Sequence, residues 1–427
     1  MAAKNLAPKS SALRSPPAQS PSQPSPPAGD LAPNDVTAPE TASASGRKIA
    51  SELPKEARFG LADETTGLLG VAVDFERRRG RGAQTNASGR YEPIARIAFD
   101  DGWRSLDELP AFKTEVQVDT TRKIITRNQS PDIGFDRSIN PYRGCEHGCV
   151  YCFARPTHAY LGLSPGLDFE SKLFVKPEAA ELLEKELAAP NYTPRVIAIG
   201  TNTDPYQPIE RRYKVMRRIL EVLDACGHPV GIVTKSALVL RDLDILARMA
   251  QRNLVKVAVS VTTLDPELAR KMEPRAATPM RRMETLRRLS QAGVPTTVMV
   301  APVIPAINDM DIERILDAAK VAGVREAGYV LLRLPLEVRD IFKEWLVANF
   351  PERAGKVFKI VRESRGGKDY DSTWHLRGRG TGPYAWLIGR RFEMAAERLG
   401  LNVHRHELTT EHFRKPVPGS DQLSLFA

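Results

Sequence analysis

Residues 144–155 read GCEHGCVYCFAR and place Cys145, Cys149 and Cys152, three of the chain's four cysteines, on one short stretch. The spacing is C-x3-C-x2-C. Clustered thiols in a reducing compartment bind metal more often than they form disulfides. The start of the chain, MAAKNLAPKS, lacks the apolar stretch of a secretory signal. No run of about twenty apolar residues follows, so a cytoplasmic protein without a membrane partner is expected.

Two kinds of site suit three thiolates. Zinc could complete its ligand set with His147 or His158, but structural zinc sites usually bring their ligands as two separated pairs. No second pair exists here. Cys226 stands alone near the end of an expected helix and reads as a buried, idle thiol. Three cysteines from one loop fit a cubane iron–sulfur cluster with one iron left open, and an open iron can bind a small molecule.

Working outward from the loop, residues 138–336 alternate short apolar runs with longer helical segments, the pattern of stacked βα units. Strands are expected at 195–200 (RVIAIG), 230–234 (VGIVT), 255–261 (VKVAVSV), 296–300 (TTVMV) and 329–333 (YVLLR), with a first strand just before Cys145. Helices are expected over 211–226, 241–252, 279–293 and 309–323, the last two ending on the capping residues Gly293 and Gly323. Continuous Val/Ile runs suit strands covered on both faces. The fold class is therefore α/β, an incomplete (βα)6 TIM-like barrel. Its chemistry is expected where strands end and loops begin, and there the cysteine loop sits.

Residues 1–50, with nine prolines in the first forty, read as a disordered tail. Residues 51–137 form an N-terminal extension whose basic stretch, ERRRGRGAQTNASGRYE (76–92), could cradle phosphates or a partner's carboxylate, or be a solvated loop. Residues 337–415 are a helical extension, with helices at 341–350 and 384–399, and 416–427 a flexible tail. Hydrophobic residues at 42% and charged residues at 27% describe a globular protein, and the formal charge of +10 suits a polyanionic partner.

The cysteine spacing after the first strand of a six-unit barrel resembles the radical S-adenosylmethionine (SAM) superfamily. The resemblance, over residues 138–336, implies a [4Fe-4S] cluster on Cys145, Cys149 and Cys152, SAM on its free iron, an external electron donor and a 5′-deoxyadenosyl radical. It places Tyr151, before the third cysteine, near the adenine. AIGTNTDPYQPIE (198–210) would take the methionine end of SAM, through Gly200, Thr201, Asn202 and Asp204.

These segments, with VTKS (233–236), VSVTT (259–263) and MEPRAATPMRR (272–282), are most similar to the spore photoproduct lyase branch. By that resemblance Lys235 and Ser260 sit at the SAM carboxylate and ribose, and Arg275 is a further anion-binding candidate. One departure stands out. Where the lyase has a hydrogen-donating cysteine, this chain has Thr201, whose O–H bond is too strong to give hydrogen readily to a carbon radical. Tyr206 is a candidate substitute.

After Pro416, Pro418 and Gly419 comes DQLSLFA (421–427), in which Gln422-Leu423-Ser424-Leu425-Phe426 resembles the pentapeptide that docks bacterial repair and replication proteins on the DNA sliding clamp. Basicity, tail and resemblance together point to nucleic acid, DNA more than RNA. A tRNA, peptide or small-metabolite substrate is the first alternative. A non-catalytic, zinc-stabilised nucleic-acid or clamp-binding module is the second.

Overall fold

The computed structural model describes residues 73, 76–92 and 111–416; the expected disordered tail and the clamp-like pentapeptide lie outside them. Ten strands occur in chain order: β1 Glu115–Val118, β2 Ile125–Arg127, β3 Arg137–Ile139, β4 Tyr142–Arg143, β5 Lys172–Val175, β6 Ile197–Ile199, β7 Val230–Thr234, β8 Val255–Ser260, β9 Thr296–Val303 and β10 Glu326–Leu331. Seven make one sheet in the order β10-β9-β8-β7-β6-β3-β2. Within it β3, β6, β7, β8, β9 and β10 run parallel, and β2 pairs antiparallel with β3 at one edge. Among the described residues β10 does not pair back to β2 or β3. The sheet is therefore an open, incomplete six-unit barrel, as expected.

Helices Val215–Ala225, Leu243–Gln251, Pro279–Gln291 and Ile312–Val321 carry the crossovers between successive parallel strands from β6 onward. Their apolar stripes bury Leu220, Leu223, Leu246, Met249, Leu286 and Leu316 against Val230, Ile232, Val255, Val257 and Val298. Burying each such side chain contributes about 1.5–3 kcal/mol. Gly293 and Gly323 adopt φ of +78° and +89° just past their helices, the left-handed turn anticipated for them.

Several boundaries differ for identifiable reasons. The sixth barrel strand starts at Glu326, earlier than the apolar run suggests; its carboxylate pairs with Lys256 of β8, two strands away, at 3.5 Å and accepts the His406 amide at 2.7 Å. The helix expected over 211–226 breaks at Lys214, whose φ is +50°. There the Glu210 carboxylate accepts the amides of Val215 (3.0 Å) and Met216 (3.2 Å) and starts a second helix. A small sheet, β1-β5-β4, was not anticipated. The C-terminal region has three helices, Val338–Asn349, Pro351–Glu363 and Gly382–Arg398, one more than expected. The extra one opens with Pro at its first turn, where the missing N–H costs nothing. No helix of the described residues is long and apolar enough to cross a membrane.

Candidate cluster and cofactor site

The cysteine loop follows β4 of the small sheet and lies at the end of the seven-stranded sheet where β6, β7 and β8 terminate, and residues far along the chain fix its backbone. Gln207 brackets the first cysteine: its Nε2 donates to the Gly144 carbonyl (3.1 Å) and its Oε1 accepts the Glu146 amide (2.9 Å). The Cys145 amide donates to Phe169 O (2.9 Å) and the Val150 amide to Met272 O (3.1 Å). Fully buried Arg155 donates through Nε to Cys149 O (2.9 Å), through Nη1 to Pro165 O and Gly166 O (3.0 Å each), and through Nη2 to Glu170 (2.5 Å).

Glu170, also fully buried, accepts in addition the amides of Gly82 (2.8 Å) and Ala83 (2.9 Å). The basic stretch 76–92 therefore does cradle a carboxylate, but one of its own chain. Arg81 is buried with it, bonded to Glu170 O, Phe112 O and Thr114. Neither a solvated loop nor an open phosphate cradle describes this segment. The contact is close: a Cβ on Gly82 would meet Gly148 O at 1.9 Å, so only glycine lets this segment back onto the cysteine loop.

Cys145 and Cys149 are buried and Cys152 is half-buried; all are free thiols. Burial pushes the Cys145 thiol up, and Asp204, Cys149 and Cys152 push it further. Burial likewise raises Cys149, with Glu273 adding and Lys235 opposing. Thiols that suppress one another's ionisation need a cation to exist together as thiolates. Among the described residues no three His, Cys, Asp or Glu side chains converge on a single ion. Thiolates that each take a separate corner of a cubane need not converge, so this donor set suits the cluster. His147 and His158, the candidate zinc ligands, are engaged elsewhere: His147 Nδ1 lies 3.4 Å from Asp204, and His158 Nε2 bonds Lys172 O at 2.8 Å.

The other site residues fall into three groups. Tyr151 and Lys235 meet beside the cysteines, with the Lys235 ammonium 5.8 Å from the Tyr151 ring centroid. The Tyr151 hydroxyl donates to buried Glu273, which is paired with buried Arg282. Arg282 Nη1 donates to Ser260 O (3.0 Å), and the Ser260 hydroxyl donates to Ala301 O (2.8 Å), leaving it able to accept. Lys235, Tyr151 and Ser260 thus belong to one connected wall.

Gly200, Thr201 and Asn202 lie on the turn after β6. A Cβ on Gly200, whose φ is +88°, would meet Val233 O at 2.0 Å, so the turn lies directly against β7. The Asn202 amide donates to Asn140 Oδ1 at 3.2 Å.

Asp204, Arg275 and Tyr206 have settled partners. Asp204 accepts the Tyr206 amide (2.9 Å), the Thr234 hydroxyl (2.7 Å) and the Lys235 amide (2.7 Å). Burial would raise its carboxyl, but His147 and these donors hold it at about 2. It braces the β6 and β7 ends rather than offering a vacant acceptor. Arg275 pairs with Glu146 at 3.3 Å. The Tyr206 hydroxyl is buried on Asp242 (3.1 Å), so a hydrogen-donor role gains no support.

Sequence reasoning missed Gln207, Glu170, Glu273 and Arg282. Gln207, Glu273 and Arg282 sit within quoted segments, yet nothing local distinguishes Arg282, which is buried, from Arg275, which is not.

Residues 139–319 match the model of the radical SAM superfamily. An uncharacterized protein of Mycobacterium tuberculosis (strain ATCC 25618 / H37Rv) is 36% identical over 293 residues, 68% of this chain and 80% of that protein. An uncharacterized protein of Methanocaldococcus jannaschii is 27% identical over 240 residues, 56% of this chain and 85% of its own length. Among solved structures, a spore photoproduct lyase complexed with dinucleoside spore photoproduct aligns at 15% identity and a TM-score of 0.48, over 67% of this chain and 80% of that one. The superfamily uses a [4Fe-4S] cluster and SAM, the two groups the cysteine loop was expected to serve. The chain belongs to the radical SAM superfamily.

Proposed function

We propose that this radical SAM enzyme acts on nucleic acid, DNA before RNA, in a repair-type reaction. Cys145, Cys149 and Cys152 hold the cluster; Tyr151, Lys235, Ser260 and the Gly200–Asn202 turn hold SAM. When bound, cluster and cofactor together supply a 5′-deoxyadenosyl radical. The chain's own residues do the positioning. Gln207 and Arg155 immobilise the cysteine backbone, Glu273 fixes the Tyr151 ring, and the Lys235 ammonium stands ready for a carboxylate. The observation that carries the reading is the meeting of three free thiols of one loop, two of them buried, with Tyr151 and Lys235 at one end of an open parallel barrel.

The substrate half rests on the +10 charge and the clamp-like Gln422–Phe426 segment, which would concentrate the enzyme at DNA without contributing chemistry. Thr201, in place of a cysteine donor, implies a reaction that ends differently from the lyase's. Anaerobic reconstitution with SAM and dithionite tests the chemistry: a brown protein with about four irons, as a cubane requires, and release of 5′-deoxyadenosine support it. A colourless zinc protein overturns it. Binding to duplex DNA, single-stranded DNA and tRNA across a salt series tests the substrate.

A further inference from the structure

Beyond the cluster wall, the opposite rim of the barrel mouth carries charge that the chain itself leaves uncompensated. Phe153 directly follows Cys152 and is 44% exposed. The Arg333 guanidinium, two residues past β10, lies 5.0 Å from the centre of that ring. Among the described residues Arg333 forms no ion pair; it hydrogen-bonds the Tyr370 hydroxyl at 3.4 Å, and its Nε is buried without an acceptor. Next to it Arg365, 3% exposed, bonds only the carbonyls of Leu376 and Leu332 (2.8 Å each). Burial lowers the Arg365 pKa, and Arg333 lowers it further, so the two cations feel each other. Asp371 is near enough to be felt by Arg365 but makes no ion pair with either residue.

Two neighbouring guanidiniums without a carboxylate, one holding an orphan donor, are costly unless an anion arrives. Planar guanidinium forks match phosphate oxygens. From Tyr370 a cleft of about 780 Å³ runs past Leu334 and Lys368 to Arg90; its carboxylates Glu337, Asp340 and Asp369 are paired with Arg90, Arg339 and Arg362. Arg90 lies 5.4 Å from the ring centre of Tyr91, which stacks on Tyr160 at 5.2 Å. Both tyrosines are more than half exposed. Tyr370, which bonds Arg333, and Arg90, which lies beside the tyrosine pair, both line this cleft, so an unpaired guanidinium and an exposed aromatic platform border one groove, as a phosphate and its base require.

We propose that Arg333, supported by Arg365 and Tyr370, binds a phosphate group of the substrate, with an adjoining base on the Tyr91–Tyr160 pair. The site places that phosphate beside Phe153 at the rim of the cluster loop. This inference rests on the nucleic-acid reading and specifies a single-stranded or extruded segment rather than an intact duplex.

The test uses the full reconstituted enzyme and fluorescence anisotropy with two single-stranded oligonucleotides of one sequence, one with phosphodiester links and one with uncharged methylphosphonate links. The intact chain is expected to prefer the charged strand by about tenfold, the size of a charge-assisted contact. Arg333→Gln should abolish that preference and Arg333→Lys restore part of it. Tyr160→Ala should weaken both strands by about tenfold, as loss of one stacking platform does. A preference that persists in Arg333→Gln overturns the site and leaves the nucleic-acid reading standing. If neither strand binds, the nucleic-acid reading falls, and inorganic phosphate decides the site: saturable binding lost in Arg333→Gln upholds it, and no binding overturns it.

Discussion

Arg155 and Arg333 both touch the cysteine loop, at Cys149 and at Phe153, and are treated in opposite ways. Arg155 is fully buried, and Nε, Nη1 and Nη2 all have acceptors, Glu170 among them. Arg333 rests on Phe153 with Nε unsatisfied and, among the described residues, no ion pair. On the cofactor side the donors of Arg155 and Gln207 are spent on the loop's own backbone and on Glu170, so the loop is fixed before anything binds. On the far rim the donors are withheld. A site that must grip a cluster needs a rigid frame, whereas a site that receives an anion needs unsatisfied cations.

The widest gap between the two sides should come from the ligands themselves. Cys145→Ala, Cys149→Ala or Cys152→Ala is expected to abolish SAM cleavage and strip the cluster, read as 5′-deoxyadenosine and iron content; retained cleavage in any of the three would break the assignment. Next comes the frame. Arg155→Met strands buried Glu170 and should cost about 3–5 kcal/mol of stability. Arg333→Gln breaks no ion pair and gives up one long hydrogen bond, so it should cost no more than about 1 kcal/mol. Thermal melts of the two variants compare the rims directly, and equal losses would erase the contrast.

A third measurement lies away from the mouth. His228 is fully buried, accepts from the Tyr192 hydroxyl (2.8 Å) and donates to Pro229 O (3.0 Å). Burial pushes it down to about 4 from the usual 6.5. The unfolded chain binds the proton first, so the stabilisation is complete above pH 6.5 and drains away as pH falls toward 4. That loss is on the order of 3 kcal/mol. His228→Gln should flatten this acid slope in pH-dependent melts. Gln207→Leu should lower cluster affinity by about tenfold, at the lower end for groups that orient metal ligands, while the fold persists. Removing residues 421–427 should leave SAM cleavage intact and end clamp binding. Smallest of all, Cys226→Ala should change neither iron content nor cleavage.

The barrel and the cysteine motif were legible because both are local patterns. A strand announces itself in five or six residues, and C-x3-C-x2-C in eight. The frame was not, because its bonds span the chain: Gln207 reaches Glu146 across 61 positions, Gly82 reaches Glu170 across 88, and Tyr151 reaches Glu273 across 122. Asp204 shows the same limit from the other direction. Its residue type suits an ammonium, but only the folded chain reveals that its lone pairs are already taken.

The approach of Gly82 to Gly148 has a practical corollary. Residues 139–319, taken alone as an expression fragment, would carry Arg155 and Glu170 but not the two amides that complete the acid's shell. Such a truncation leaves the buried Glu170 carboxylate two donors short and uncovers the backbone at Gly148. Anyone trimming this chain for crystallisation or activity work has to begin upstream of residue 82.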